Sequence, residues 1–323
     1  MRASSFKQWL ARVALLTGRQ REQLFSVLQP AVGLDRVCAA IEENRRVSCC
    51  PDCGGRRIHR HGHVRGLQRY RCCACGRTFS ALSGTPLASL RHRAKWLDYL
   101  DNMLDSQSVR KSADALGIHR NTSFRWRHRF LHLAKDDRPP ALAGIADADE
   151  LFLLESHKGS RQLDRPPRKR GGVASRRGIN REHVCVLVAR DRSGATFDFI
   201  TGRGALTAAQ LHRHLLPVLG QDVLLVSDGH PAYRAFARAA AISHEAVKLQ
   251  AGEGVRGAVH VQNVNAYHRR FRLWLAPFNG VASRYLPNYL GWQWAVDGGR
   301  IGSAREMLRI ALGHPTLNGD SAL

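Results

Sequence analysis

Two groups of residues in this sequence have the types and spacings that chemistry requires. The first is Cys50-Pro-Asp-Cys53 and Cys72-Cys-Ala-Cys75, two Cys-x-x-Cys pairs separated by 18 residues, each followed by a glycine, Gly54 and Gly76. Thiolates at that spacing can close a tetrahedral Zn2+ site, and the glycines let the chain turn with positive φ so that amides face the sulfurs. Bound metal would then fold a module too small to have its own core. Cys49 and Cys73 would shift the ligand register by one, and His59, His61 and His63, alternating along one strand face, are a rival donor set.

The second group is acidic. Asp147, Asp149 and Glu150 interrupt the apolar run Ile145 to Leu154, where an unpaired carboxylate is strongly unfavourable unless a cation compensates it. The alternation of a strand puts Asp147 and Asp149 on one face and Glu150 on the other, as a structural acid or an outer partner. A second apolar strand, Val223 to Val226, ends in Ser227-Asp228-Gly229, at the strand end where open α/β sheets receive ligands. Asp228 could equally be a plain turn residue. In the helical segment Val261 to Phe278, Asn265, His268, Arg269 and Arg272 share one face, and Val264, Tyr267, Phe271, Trp274 and Leu275 share the opposite one. One side packs and the other can face a metal or a phosphate. Asn265 is also suited to capping the helix, and His268 to a ligand, a base or a solvated polar neighbour.

These residues must be positioned by a chain of 323 residues, long enough for several domains. It carries 50 Lys and Arg against 26 Asp and Glu, a net charge of +24, with 44% apolar residues, which describes a folded protein built to meet a polyanion. No apolar run without interruption suggests a membrane span, and Arg12 breaks the N-terminal stretch Leu10 to Leu16, so neither a span nor a leader is expected. Six of eight Cys crowd between Cys49 and Cys75, which is metal spacing in a reducing compartment rather than a disulfide framework.

The organisation expected is multidomain α+β. Residues 1–46 read as short helices, with Asp35 capping the second; 47–83 as a zinc ribbon; 84–136 as a helix-turn-helix region; 137–144 as a linker; 145–297 as a mixed α/β domain; and 298–323 as a tail. In the helix-turn-helix, Val109, Leu116, Ile118 and Trp126 supply the core around Gly117 and small Ala113, while Arg120, Asn121, Thr122, Arg125 and Arg129 face outward with side chains suited to base edges. The ribbon from Arg45 to Arg77 has nine Arg and one acid, and the run His157 to Arg181 has nine Lys or Arg and one acid. Both are expected to meet a phosphate backbone, the second as a clamp containing Lys158, Arg168, Lys169 and Arg170.

The motifs Asp149-Glu150, His157-Lys158-Gly159-Ser160-Arg161, Arg168-Lys169-Arg170-Gly171-Gly172, Ser227-Asp228-Gly229 and His260-Val-Gln-Asn263-Val-Asn265-Ala-Tyr-His268, followed by Gly280-Val-Ala282 and Tyr285-Leu286, resemble those of bacterial insertion-sequence transposases of the DDE class. The resemblance spans about residues 47 to 297, in the branch that places a zinc ribbon before an RNase H-like catalytic domain. It implies that Asp149, Asp228 and Asn265 bind Mg2+ or Mn2+, with Glu150, His268 and Arg272 supporting. Asn265 stands where Glu is common, and some members of the branch carry Asn there; Arg272 stands where Lys is frequent. Two ions roughly 3.5–4 Å apart would activate water or a 3′-hydroxyl and stabilise the leaving oxygen. The implied function is binding of element ends, strand cleavage and strand transfer on double-stranded DNA, by a homo-oligomer in the bacterial cytoplasm at the nucleoid. The alternatives are a DNA-binding regulator derived from such an enzyme, and a nuclease without strand transfer.

Overall fold

The computed structural model describes residues 3–136, 138–163, 165–169, 171–247 and 259–313. These fall into two compact units, one made of Met1–Asp105, Arg110–Phe130 and Gly302–Leu323, the other of Ser106–Val109 and Leu131–Ile301.

In the first unit, helix α1 (Ala3–Val13) precedes α2 (Gly18–Asn44). The second of these is one long helix rather than the short segment expected to begin at Asp35. It starts at a capping box, in which the Thr17 hydroxyl accepts from the Gln20 amide and the Gln20 side chain accepts from the Thr17 amide, and it runs on past Pro30. By length and composition α2 could cross a membrane, a property the uninterrupted-run argument missed. Asp35 and Arg36 interrupt it, however, and Val37, Ala40 and Ile41 near its end are fully buried. Gly33 lets it approach the 3-10 turn Arg93–Lys95, because a Cβ there would lie 2.6 Å from the Ala94 carbonyl oxygen.

A three-stranded antiparallel ribbon follows, β1 (Ile58–Val64), β2 (Leu67–Cys72) and β3 (Thr78–Ser80). Three helices come next, α3 (Trp96–Leu104), α4 (Val109–Ala115) and α5 (Arg120–Phe130). Their core is more aromatic than expected: Trp96, Tyr99, Trp126 and Phe130 meet edge-on or tilted at centroid distances of 5.2 to 6.5 Å, while Val109, Leu116 and Ile118 are only half-buried. Gly117 turns between α4 and α5 with φ of 55°. The stretch expected as a tail instead carries a helix, numbered α10 below (Ala304–Ala311), capped by Ser303 and packed on α2 and α3 through Met307, Leu308, Ile310 and Ala311. The Arg45 guanidinium donates to the carbonyl of Leu312, the helix's C-cap residue, 2.6 Å away.

The second unit is built on a five-stranded sheet. β4 (Ile145–Leu154), β5 (His183–Asp191) and β6 (Thr196–Arg203) form an antiparallel meander, and β7 (Leu224–Ser227) and β8 (His244–Ala246) add to the other edge of β4 in parallel, giving the order β6-β5-β4-β7-β8. The residues expected as a linker already belong to this unit, where Leu142 is fully buried and bridged to Leu219. Strand alternation then sorts side chains to two faces. Ala146, Ala148, Cys185, Leu187 and Ala189 pack under α6 (Ala208–His214) and α7 (Pro231–Ala240). Leu151, Val184, Val186, Val188 and Val226 pack under α8 (Gln262–Leu275), with α9 (Leu286–Asp297) beyond. Helices cover both faces of a mixed sheet, and this is the RNase H-like α/β architecture that the sequence motifs implied.

Candidate functional site

The four knuckle thiols converge. All four Sγ atoms lie within 4.8 Å of one another, with Cys50 to Cys75 at 3.7 Å and Cys53 to Cys72 at 3.6 Å. A tetrahedron with Zn–S bonds of about 2.3 Å has edges of about 3.8 Å, so the set fits zinc. The two loops are copies of each other: the Gly54 amide donates to Cys50 O (2.9 Å) and the Gly76 amide to Cys72 O (3.0 Å), at φ of 71° and 70°. Amides of Cys75 and Ala74 lower the Cys72 thiol to about 7. Cys53 is raised to about 12, since the pull of the Gly55 amide is outweighed by the neighbouring thiols, so four thiolates need a cation between them. Cys49 and Cys73 stay exposed outside the cluster, and Cys73 Sγ instead lies 3.6 Å from His59 Nδ1.

The acidic residues are gathered by strand register. β4 and β7 pair in parallel with Ile145 beside Leu224, Ala146 beside Leu225 and Asp147 beside Val226. Carrying that register onward sets Asp149 opposite Asp228. Asp149 lies on the α8 face, one-fifth exposed. Burial, with the nearby charge of Asp228, raises its carboxyl to about 6, although the Glu150 amide donating to Oδ1 at 2.8 Å and the Arg272 guanidinium pull it down. Asp228 is exposed, and its Oδ1 accepts from the His230 amide at 3.0 Å, shaping the turn into α7.

From α8, His268 Nδ1 comes within 3.7 Å of Asp149 Oδ2. Burial and the charge of Arg272 lower His268 to about 4, so the ring is neutral and the contact is no ion pair. Its Nε2 is buried with no hydrogen-bond partner. Asn265 and Arg272 are exposed on the same helix, within a turn of His268 on either side. Asn265 is not a cap: the helix begins at Gln262 with Val261 at the N-cap position, and the Asn265 amide already bonds Val261 O.

The cap comes from elsewhere. Asp147, fully buried, accepts from the Val264 amide in the first turn of α8 through Oδ2 (2.8 Å) and from the Arg192 guanidinium through Oδ1 (2.5 Å), while Arg192 also reaches His260 O (3.1 Å). This rival of Asp149 therefore has a full set of internal partners. Glu150 faces the opposite side of the sheet, where burial and the charges of Asp149 and Asp228 raise it to about 7. Its carboxylate meets the buried hydroxyl of Tyr233, a residue sequence reasoning did not single out, and that hydrogen bond tempers the rise. An Asp149 carboxylate held largely out of water, the exposed Asp228 and an amide oxygen on the adjacent helix form a donor set that suits a hard divalent cation.

The remaining basic candidates divide. On α5, Arg120, Asn121 and Arg125 are exposed and Thr122 half-buried. Lys158 instead donates to Asn279 O and Gly280 O, and Arg168 to Glu155 O and the Glu182 carboxylate, so both hold the fold together. Lys169 is exposed, and Arg170 lies outside the described residues.

Residues 141–293, which contain all of the acidic site, match the ISXO2-like transposase domain. An uncharacterized protein in transposable element ISH50 of Halobacterium salinarum is 30% identical over 244 residues, 75% of this chain and 82% of that one. Among solved structures, a simian T-cell lymphotropic virus intasome (11% identity, 68% of this chain and 76% of that one, TM-score 0.32) and the Mos1 mariner paired end complex with Mn (12%, 66% and 73%, TM-score 0.27) are similar only distantly. Likenesses that weak leave the fold to the strand order described above.

Proposed function

This chain belongs to the family of ISXO2-like transposases, and we propose that it acts by cutting and joining DNA at the ends of an insertion sequence through metal-assisted in-line phosphoryl transfer. What supports this reading is the β4–β7 register, paired through Asp147 and Val226 and running on toward Asp149 and Asp228, together with the 3.7 Å approach to Asp149 of His268 from the helix that bears Asn265. Asp149, Asp228 and the Asn265 amide oxygen would hold Mg2+ or Mn2+, which when bound would activate the attacking water or 3′-hydroxyl and stabilise the leaving oxygen.

The chain's own residues do the rest. Burial keeps Asp149 short of solvating water, so it gains from meeting a cation. Neutral His268 supports it without adding charge. Arg272 is placed to meet a phosphate beside the carboxylates. Replacing Glu by Asn at the third position removes a negative charge, so ion binding at this centre is weak until a DNA phosphate arrives. Four-thiolate zinc would brace the ribbon, while the basic ribbon surface and the exposed Arg120, Asn121 and Arg125 of α5 would engage duplex ends. Processing two ends implies more than one copy of the chain on the DNA, working inside the cell at the nucleoid.

The test is purified protein with Mg2+ or Mn2+ and a duplex carrying the inverted repeats that flank the coding region. Nicked and joined products are expected. Asp228→Ala should abolish cleavage while leaving duplex binding intact, and cleavage retained in that variant would falsify the site assignment.

A further inference from the structure

Two of the sequence motifs play no part in the carboxylate site: His157 to Arg161 and Gly280 to Tyr285. Lys158 and Gly280 lie 122 positions apart, yet the Lys158 ammonium donates to the carbonyls of Asn279 (2.9 Å) and Gly280 (2.8 Å). Ser156 and Ser283 join reciprocally, the Ser156 amide to Ser283 Oγ at 2.9 Å and the Ser283 amide to Ser156 O at 2.8 Å. Beside this seam opens a cavity of about 410 Å³ with Val184, Ile200 and Ala282 in its lining and His157, Arg203 and Arg284 around it. Glu155 on its wall is buried, but its carboxylate pairs with the Arg203 guanidinium, with His157 Nε2 3.2 Å away, so the acid does not leave the cavity negative. Half of the Arg203 side chain remains exposed, and the Arg284 guanidinium sits 4.8 Å over the Tyr285 ring. Mixed apolar lining with guanidinium groups at the mouth suits a phosphodiester with its sugar.

The position of the cavity says which phosphodiester. Alternation along β4 puts Asp149, Leu151, Leu153 and Glu155 on one face of the sheet, and Val184 and Ile200 belong to the layer under α8 as well. Six residues of extended chain at about 3.3 Å each place the cavity roughly 20 Å from Asp149 along the strand direction. At about 3.4 Å per nucleotide on one DNA strand, that is roughly six nucleotides.

We propose that this cavity seats a backbone phosphodiester of bound DNA about six nucleotides from the one at Asp149 and Asp228, gripped between Arg203 and Arg284; this rests on the transposase reading above. The experiment pairs a protein change with a DNA change. A duplex carrying the element's inverted repeat is synthesised with one neutral methylphosphonate at a time, and its affinity is measured for wild-type protein and for Arg284→Gln, whose melting temperature is checked to match. One linkage within a few nucleotides of the expected position should weaken wild-type binding about ten-fold and leave Arg284→Gln unaffected, and the variant should lose about one unit of salt slope. Equal methylphosphonate profiles for both proteins would overturn the proposal, placing Arg284 in general attraction only, or outside the contact altogether. Wild-type protein that binds no duplex would overturn the transposase reading and this site with it. Competition of wild-type binding by inorganic phosphate at millimolar concentration, with flat methylphosphonate profiles, would assign the cavity to a free anion and equally overturn it.

Discussion

The thiolate centre and the carboxylate centre both crowd negative donors, and they do so in opposite ways. In the ribbon, four sulfurs from two short matched loops close on each other, backed by near neighbours in the chain such as Arg77, whose carbonyl accepts from the Cys72 amide, and Phe79. In the sheet, the candidate donors arrive from β4, from the end of β7 and from α8, and they are only partly met from within: Asp149 is raised to about 6, and His268 Nε2 beside it is buried with no hydrogen-bond partner. A closed centre suits a folding role, whereas an open one that keeps a carboxyl short of water suits the binding of a cation.

The largest test of that contrast is metal removal. Stripping zinc from the thiols should take about 10–16 kcal/mol from the ribbon's folding, so amide protection across Ile58 to Ser80 should collapse in hydrogen exchange while that of β4 to β6 persists. A ribbon whose exchange is unchanged after stoichiometric zinc release would erase the distinction. Next comes Asp147, the satisfied acid of β4. Asp147→Asn breaks a buried pair and should lower unfolding free energy by about 3 kcal/mol, the lower end for buried pairs because Arg192 is partly exposed. Denaturant titration reads this directly, and a loss under about 1 kcal/mol would mean that the acid is not structural.

The smallest effect has the opposite sign. Folding raises the Asp149 carboxyl, so the stability linked to its proton is fully present below the ordinary carboxylate range and lost as pH rises through about 6. Asp149→Asn carries no charge to desolvate. Without divalent metal at about pH 8 it should melt a few degrees above wild type, and at about pH 4 the two should coincide. Mg2+ should narrow the gap by raising the wild type, and a variant that melts lower than wild type in metal-free buffer at the higher pH breaks the comparison.

Much of this was legible before any coordinates. The Cys pairs declare themselves because every contact that shapes them is local, and the faces of Asp149 and Glu150 follow from strand alternation alone. The choice between Asp147 and Asp149 does not, since both share a face and a setting; it is decided by Arg192, 45 positions from Asp147, swinging in from the turn between β5 and β6. Tyr233 and the cavity beside Ser156 depend on tertiary approach in the same way. The long α2 had a readable start at Thr17 and Gln20, whereas α10 announced itself only through Ser303 and Glu306. Lys158 and Arg168 show the limit of reading charge by composition: a basic run looks solvated until carbonyls and a carboxylate claim its members.

Asp147 clasping the first turn of α8 has a further effect. The helix is moored to the strand that bears Asp149, so the spacing between Asn265 and that carboxylate is set by a clamp only two residues upstream and not by the route the polypeptide takes from β8 to Gln262. A change in the length of that connection is therefore expected to leave the reach of Asn265 unaltered.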